Sequence, residues 1–395
     1  MSIPLVSFVI ATHNRRDVLL HTLGQVQRCG LSRREFEVLV VDNASGDETA
    51  AAVAVRFPSV ILLRQAENLG ACAKNVAMAT AHGRYVVFLD DDSYPRAGSV
   101  ARMMQYFETD ISLGAAVFTI TSPDGSQECS AYPNVCIGCG TGFRIEALRE
   151  VGGLPDDFFM AAEEYDLSLR LLDAGWNVRR FDDLHVTHLK SPLARFPTRV
   201  TRLDVRNNLL LAMRSFPPDW RLPYAIEWMK RYRLIARAKG RGGAFWAGLI
   251  TGAVAAVVSR WRPISPAAFE AFTRVRETEV RMKEAARRYG LRDVLFVDLG
   301  KNIFAYRRAA ERCGLRVVAV ADASLGGRRF RYNGIPIVSD AGAQSLKFDA
   351  AIVSNLSPVH AAARRAAWRA KDTRPVIDLF EQPAEREAKR YAVAA

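Results

Sequence analysis

Short apolar runs alternate with helical patterns from the first residues of this chain, and polar residues gather where each run ends. Residues 6–11, 37–41, 60–63 and 85–89 read as strands, and residues 16–28, 47–57 and 71–81 between them read as helices. Such alternation specifies an α/β layer with a mainly parallel sheet. Ligands in these sheets bind beyond the carboxyl ends of the strands. Those ends carry Thr12 to Arg15, Asp42 to Ser45, and three consecutive aspartates, Asp90, Asp91 and Asp92, so three polar clusters are expected on one edge.

Three adjacent carboxylates raise each other's pKa unless a divalent cation or a buried hydrogen-bond network holds them ionised. Asp92, Ser93, Tyr94 and Pro95 would also make a turn and a helix cap, but a cap needs one aspartate.

At 395 residues the chain exceeds a single core. Three regions are read: an α/β domain over 1–216, a basic helical region over 217–290 and a second α/β domain over 291–395. The net charge of +13 is concentrated, because nine basic residues from Arg221 to Arg262 stand against one acid, Glu227. Such a stretch suits an anionic membrane surface or a polyanion, or else is a solvated arginine-rich helix. Within it, residues 242–259 carry no charge but include four glycines. That is a weak candidate for a membrane span of about 20 residues, and a packed or membrane-surface helix is expected. Just before it, Leu222, Ala225, Ile226, Met229, Tyr232 and Ala236 keep helical spacing, with Trp228, Leu234 and Ile235 off that face.

Six scattered cysteines fit a reducing compartment, and the N-terminus shows no signal-peptide pattern, so a cytoplasmic location is expected. Cys129, Cys136 and Cys139 offer three thiols without a fourth zinc ligand, and the last two read as a small-residue loop.

From residue 292 the alternation restarts, with strands expected over 294–297, 316–321, 335–338, 350–354 and 376–379 in a small doubly wound, Rossmann-like domain. After its first strand only Gly300 remains of the dinucleotide fingerprint, while Asp322 stands at the ribose-binding position. NAD is not expected there; docking, regulation or another ligand is.

The motifs taken in order carry a resemblance. They are Phe8 to Arg15, Val40 to Asp47, Asn68 to Gly70 and Leu89 to Asp92; then Val151 to Phe159 after Arg144, Glu163 to Leu171, and His188. Together, over residues 5–215, they resemble family 2 glycosyltransferases of the GT-A fold, rhamnosyl- and galactofuranosyltransferases among them. The resemblance implies an inverting, metal-dependent enzyme. It would move a hexosyl or deoxyhexosyl unit from a nucleoside-diphosphate sugar to a hydroxyl of a glycan or lipid-linked acceptor in cell-surface polysaccharide synthesis.

By that resemblance Asp90 and Asp92 are the metal ligands of a D-x-D motif and His188 is a third, with Asp91 between them on the nucleotide-sugar side. Hard oxygen ligands suit Mg²⁺ or Mn²⁺, and an imidazole favours Mn²⁺. Asp42 is implied to bind the base, Thr12 and Asn14 to flank it, and Lys74, where relatives often carry arginine, to reach base or phosphate. The acceptor hydroxyl must lose a proton, and the base position falls on Glu164, with Glu163 the alternative. Plainer readings stand beside these: Asp42 as a turn residue, Lys74 as an ordinary helix lysine, His188 as a core histidine, and acids favouring a helix dipole. The partners expected are the sugar nucleotide, the acceptor and an anionic membrane surface at the inner face of the plasma membrane, not nucleic acid. The rivals are an NAD(P)-dependent sugar-nucleotide-modifying enzyme run by the C-terminal domain, and a catalytically silent sugar-nucleotide-binding scaffold.

Overall fold

Apolar runs become strands where the sequence places them. The computed structural model describes residues 4–192 and 196–381. Contacts divide the chain into two units, Met1–Met229 with Arg241–Phe272, and Lys230–Gly240 with Thr273–Ala395, so the basic helical stretch is shared between them.

In the first unit β1 (Val6–Thr12), β2 (Phe36–Asp42), β3 (Ile61–Arg64) and β4 (Tyr85–Asp90) pair in parallel, in the order β3-β2-β1-β4. The near-continuous apolarity of β1, β2 and β4 follows from burial on both faces, while edge strand β3 is only half-buried. One face packs on α1 (Arg16–Val26), and the other meets α3 (Lys74–Thr80), which follows α2 (Thr49–Arg56). The helix expected over 71–81 opens instead with a 3-10 turn, Gly70–Ala73. Gly70 has φ of +65°, and a Cβ there would stand 2.0 Å from Phe159 O, while Ala71 N donates to that carbonyl at 2.8 Å. A left-handed residue pressed against backbone cannot continue an α-helix, and only glycine fits it.

The sheet continues through β5 (Ser93–Pro95), β6 (Leu113–Thr121), β7 (Gln127–Glu128), β8 (Thr141–Arg144) and β9 (Asn177–His188), giving the order β3-β2-β1-β4-β8-β6-β9-β5 with β7 on β6. β8 runs antiparallel to β4 and β6, and β9 lies parallel to β6 and antiparallel to β5. The helices of this half are α4 (Ser99–Thr109), α5 (Ile145–Val151), α6 (Glu163–Asp173), α7 (Pro197–Ser215), α8 (Pro218–Ala238) and α9 (Gly242–Val258).

Helical spacing over 222–236 gives part of the packed face of α8, since Ala225, Met229, Tyr232 and Ala236 are buried. Leu222 and Ile226 are exposed, whereas Tyr224 and Trp228 are buried. The reason is an aromatic cluster: Phe216 meets Tyr224 at 5.4 Å, Trp228 at 5.4 Å and Phe269 at 5.1 Å between ring centroids. Large rings bury more area than two aliphatic side chains and set the helix's rotation.

In the second unit β10 (Asp293–Val297) is central, with strand order β12-β13-β11-β10-β14-β15 for β11 (Arg316–Ala321), β12 (Arg331–Tyr332), β13 (Ile335–Val338), β14 (Ala350–Val353) and β15 (Val376–Ile377). All pairs are parallel except β12 with β13. Asp322, at the ribose position, accepts from the backbone N–H groups of Leu299 (3.0 Å), Ser324 (2.9 Å) and Leu325 (2.9 Å). Its carboxylate therefore closes its own loop.

Candidate active site

Sheet register brings the polar clusters together. Thr12 lies opposite Asp42, and Ala11 opposite Asp90. Asp42 is buried and accepts from Ser45 N at 3.0 Å, the turn its sequence allows. Asn14, at φ 53°, accepts from Gly46 N at 2.7 Å and donates its own N–H to Ser45 Oγ at 3.0 Å. The loops after β1 and β2 are thereby joined.

The three aspartates offset their mutual repulsion through two cations, Lys74 and Arg15. Asp90 pairs with Lys74 Nζ at 2.9 Å. Asp91, 3% exposed, takes the Thr12 hydroxyl at 2.8 Å and one arm of Arg15. Asp92, 1% exposed, takes the other arm at 2.8 Å and Ser191 N at 2.9 Å. Burial pushes Asp91 up to about 7 although Arg15 and Thr12 oppose it. At Asp92, His188 and Arg15 outweigh burial and hold the carboxyl below the usual carboxylate range. Asp91 is thus tied into the scaffold around Arg15, while Asp90 keeps the more open position.

Lys74 is buried, not an exposed helix lysine, and also donates to Gly138 O at 2.8 Å. A Cβ on Gly138 would stand 3.4 Å from Glu164 Oε1, 3.6 Å from Lys74 Nζ and 4.0 Å from Asp90 Oδ1. Three charged groups from three elements converge on this point. Glu164 arrives on the first turn of α6, where acids also suit the helix dipole. Ser168, one turn on, donates to Glu164 O at 2.5 Å and accepts from Cys136 N at 2.9 Å, tying the Gly138 loop to the helix start. Two left-handed residues, Ala161 (φ 70°) and Ala162 (φ 66°), turn the chain into α6. Buried Asn207 of α7 holds that turn by donating to Met160 O (2.9 Å) and Ala161 O (2.8 Å). Burial raises the pKa of both glutamates, with Glu164 adding to the effect on Glu163 and Asp90 to that on Glu164. Glu163 is the more enclosed, and its Oε2 has no hydrogen-bond partner among the described residues.

β9 pairs with β5 so that His188 lies opposite Ser93, beside the triplet. Its Nδ1 meets Glu128 of β7 at 2.8 Å, and its buried Nε2 faces Asp92 Oδ1 at 3.1 Å outside hydrogen-bonding geometry. Ligand atoms of Asp90, Cys139 and His188 lie within 4.8 Å of one another. Burial opposes charge on the imidazole, but Asp92, Cys139 and Glu128 outweigh it and push the pKa up to about 12. Surroundings that attract a proton this strongly also attract a divalent cation. A ring nitrogen aimed at carboxylates, with its other nitrogen on a glutamate, matches how histidines are held at metal centres. The residues fit a cation.

The model of "Glycosyl transferase family 2" matches residues 7–134, and that of "Glycosyl transferase family group 2" matches residues 93–272, jointly more than half of the chain. The chain belongs to glycosyl transferase family 2.

The chain is 28% identical over 108 residues to the UDP-Glc:alpha-D-GlcNAc-diphosphoundecaprenol beta-1,3-glucosyltransferase WfaP of Escherichia coli, covering 27% of the chain and 42% of that protein. It is 23% identical over 210 residues to the glycosyltransferase AglE of Haloferax volcanii, covering 48% and 69%. With the putative teichuronic acid biosynthesis glycosyltransferase TuaG of Bacillus subtilis it shares 30% over 158 residues, covering 35% and 61%. The chain thus spans less than half of the first of these relatives. Among solved structures, Staphylococcus aureus TarS with UDP-GlcNAc is similar at a TM-score of 0.49 and 14% identity, covering 78% of this chain and 92% of that one. The Pyrobaculum calidifontis mannosyltransferase with GDP-Man and Mn²⁺ gives 0.45 and 19%, covering 79% and 87%. The first unit is a GT-A domain by its own strand order: a parallel half ending in the aspartates, continued by a mixed half that returns His188 to them.

Sequence reasoning about this chain missed Arg15, Glu128, Gly138, Cys139 and Asn207. Arg15 sits inside the first motif and could have been assigned as counter-ion to the aspartates, since two buried carboxylates need one. Cys139 has only its spacing from Cys136, which reads as a loop, and no linear signal marks the other three.

Proposed function

We propose that this protein is an inverting, metal-dependent glycosyltransferase moving a hexosyl or deoxyhexosyl unit from a nucleoside-diphosphate sugar to a hydroxyl of a glycan or lipid-linked acceptor. The observation that carries it is the convergence of Glu164, Lys74 and Asp90 on Gly138, which sets a carboxylate of raised pKa against the strand edge. WfaP, named for transfer to a diphosphoundecaprenol-linked sugar, supports a lipid-linked acceptor; polysaccharide synthesis at the inner face of the plasma membrane is part of the same proposal.

Thr12, Asn14 and Asp42 line the nucleotide side, and Lys74 meets phosphate. Asp90, Asp92 and His188 would hold Mn²⁺ or Mg²⁺, which when bound offsets negative charge on the departing diphosphate. The acceptor oxygen bonds to the anomeric carbon as that carbon's bond to the diphosphate oxygen breaks, the electron pair leaving with the diphosphate. The hydroxyl proton passes to Glu164 Oε1. Attack opposite the leaving group inverts the anomeric configuration. Burial brings Glu164 closer to neutral pH, where a carboxylate is the better base.

Screening nucleotide sugars for Mn²⁺-dependent release of nucleoside diphosphate tests the reading. Glu164→Gln is expected to abolish turnover with sugar-nucleotide binding retained, and Glu163→Gln to leave the larger share of activity. A flat response to every donor, or full activity in Glu164→Gln, would overturn it.

A further inference from the structure

α9 is apolar on every side. Ala244, Phe245, Gly248 and Gly252 are its buried side, where a Cβ on Gly248 would stand 2.5 Å from Arg202 O and one on Gly252 3.0 Å from Arg206 O. That side is closed by near contact of two helix backbones. The opposite side carries Trp246, Ile250, Val254 and Val257 at helical spacing, all between 52% and 86% exposed. A contiguous apolar stripe of this kind marks a binding surface. Among the described residues no helix is long and apolar enough to cross a membrane, so the stripe lies along a surface instead of spanning one.

Charge selects the surface. From Trp228 to Phe269 the chain has no Asp or Glu. Arg241 stands at the N-cap of α9, Arg260 and Arg262 are exposed beyond its C-terminus, and the Arg221 guanidinium lies 4.9 Å from the Trp261 ring. Tryptophans and arginines at the ends of an apolar stripe are what a bilayer interface with anionic headgroups accommodates. A second copy fits less well, because pairing two such faces sets arginine against arginine with no acid to meet it.

We propose that the outer face of α9 docks on an anionic lipid bilayer, with Trp246, Ile250, Val254 and Val257 in the headgroup boundary and Arg260 and Arg262 on lipid phosphates. The anchor rests on the reading of a lipid-linked acceptor for its purpose, but its test requires no turnover, so the two fail separately. The full chain is floated at low salt with vesicles of phosphatidylcholine alone and of phosphatidylcholine mixed two to one with phosphatidylglycerol. Wild type is expected to float with the mixture only. Ile250→Asp with Val257→Asp, both at exposed positions, is expected to stay at the bottom while melting like wild type. Arg260→Glu with Arg262→Glu is expected to lower the bound fraction roughly tenfold or more. Failure of wild type to float overturns the proposal, as does equal flotation with phosphatidylcholine alone or flotation that survives the double aspartate variant. Self-association abolished by that variant, without flotation, would assign the face to a second copy and overturn it too.

Discussion

Asp91 shows what a single buried carboxyl does to this site. Burial moves it from 3.8 to about 7, so the folded chain holds its proton more tightly than the unfolded chain does. The stabilisation this brings is complete below 3.8 and is lost as pH rises through about 7. Asp91→Asn keeps one oxygen acceptor for Arg15, turns an amide N–H₂ toward the Thr12 hydroxyl, and removes the titration. Urea unfolding of variant and wild type without divalent cations is expected to show the difference moving toward the variant by about 1.4 kcal/mol per pH unit inside that window. Parallel curves would show that Asp91 stays ionised throughout. Residues such as Thr12, Asp42 and Asp90 were legible because each ends an apolar run, and the run itself announces the strand end. Arg15, by contrast, meets aspartates 76 and 77 residues away, and nothing in linear spacing joins them.

At the scale of elements, the entry into α6 positions the proposed base. Its two left-handed alanines are the kind of strained backbone that persists only when neighbours hold it. Asn207, on α7, does the holding without touching the reacting groups, which makes it a positioning residue. Asn207→Ala leaves two carbonyls without their donor, at a cost of about 1–3 kcal/mol in stability. Because α6 also loses its register against Gly138, kcat is expected to fall by up to about a hundredfold with the donor KM nearly unchanged. A rise in KM with constant kcat would assign Asn207 to donor binding. The strand and helix pattern of residues 6–89 was readable from hydrophobic period. The face of α8 was readable only in part, because Tyr224 and Trp228, which pack on Phe216 and Phe269, take the buried places expected for Leu222 and Ile226.

For the molecule as a whole, nucleotide and cation should act as stabilisers of the folded chain. A nucleoside diphosphate with Mn²⁺ at a hundredfold excess over its Kd is expected to add about 2.7 kcal/mol, read as a rise in melting temperature that the diphosphate alone does not give. An equal shift without Mn²⁺ would remove the cation from the site. Two α/β units were visible in the restart of the strand pattern at residue 292, yet the assignment of the helices between them needed contacts that composition does not encode. One feature also orders events in time. His188 reaches the aspartates only when β9 pairs with β6 and β5, long-range pairings that form slowly. On the proposed site, a chain caught before that step would lack the imidazole for the cation, so acquisition of Mn²⁺ binding during refolding is expected to date the moment at which the last strand docks.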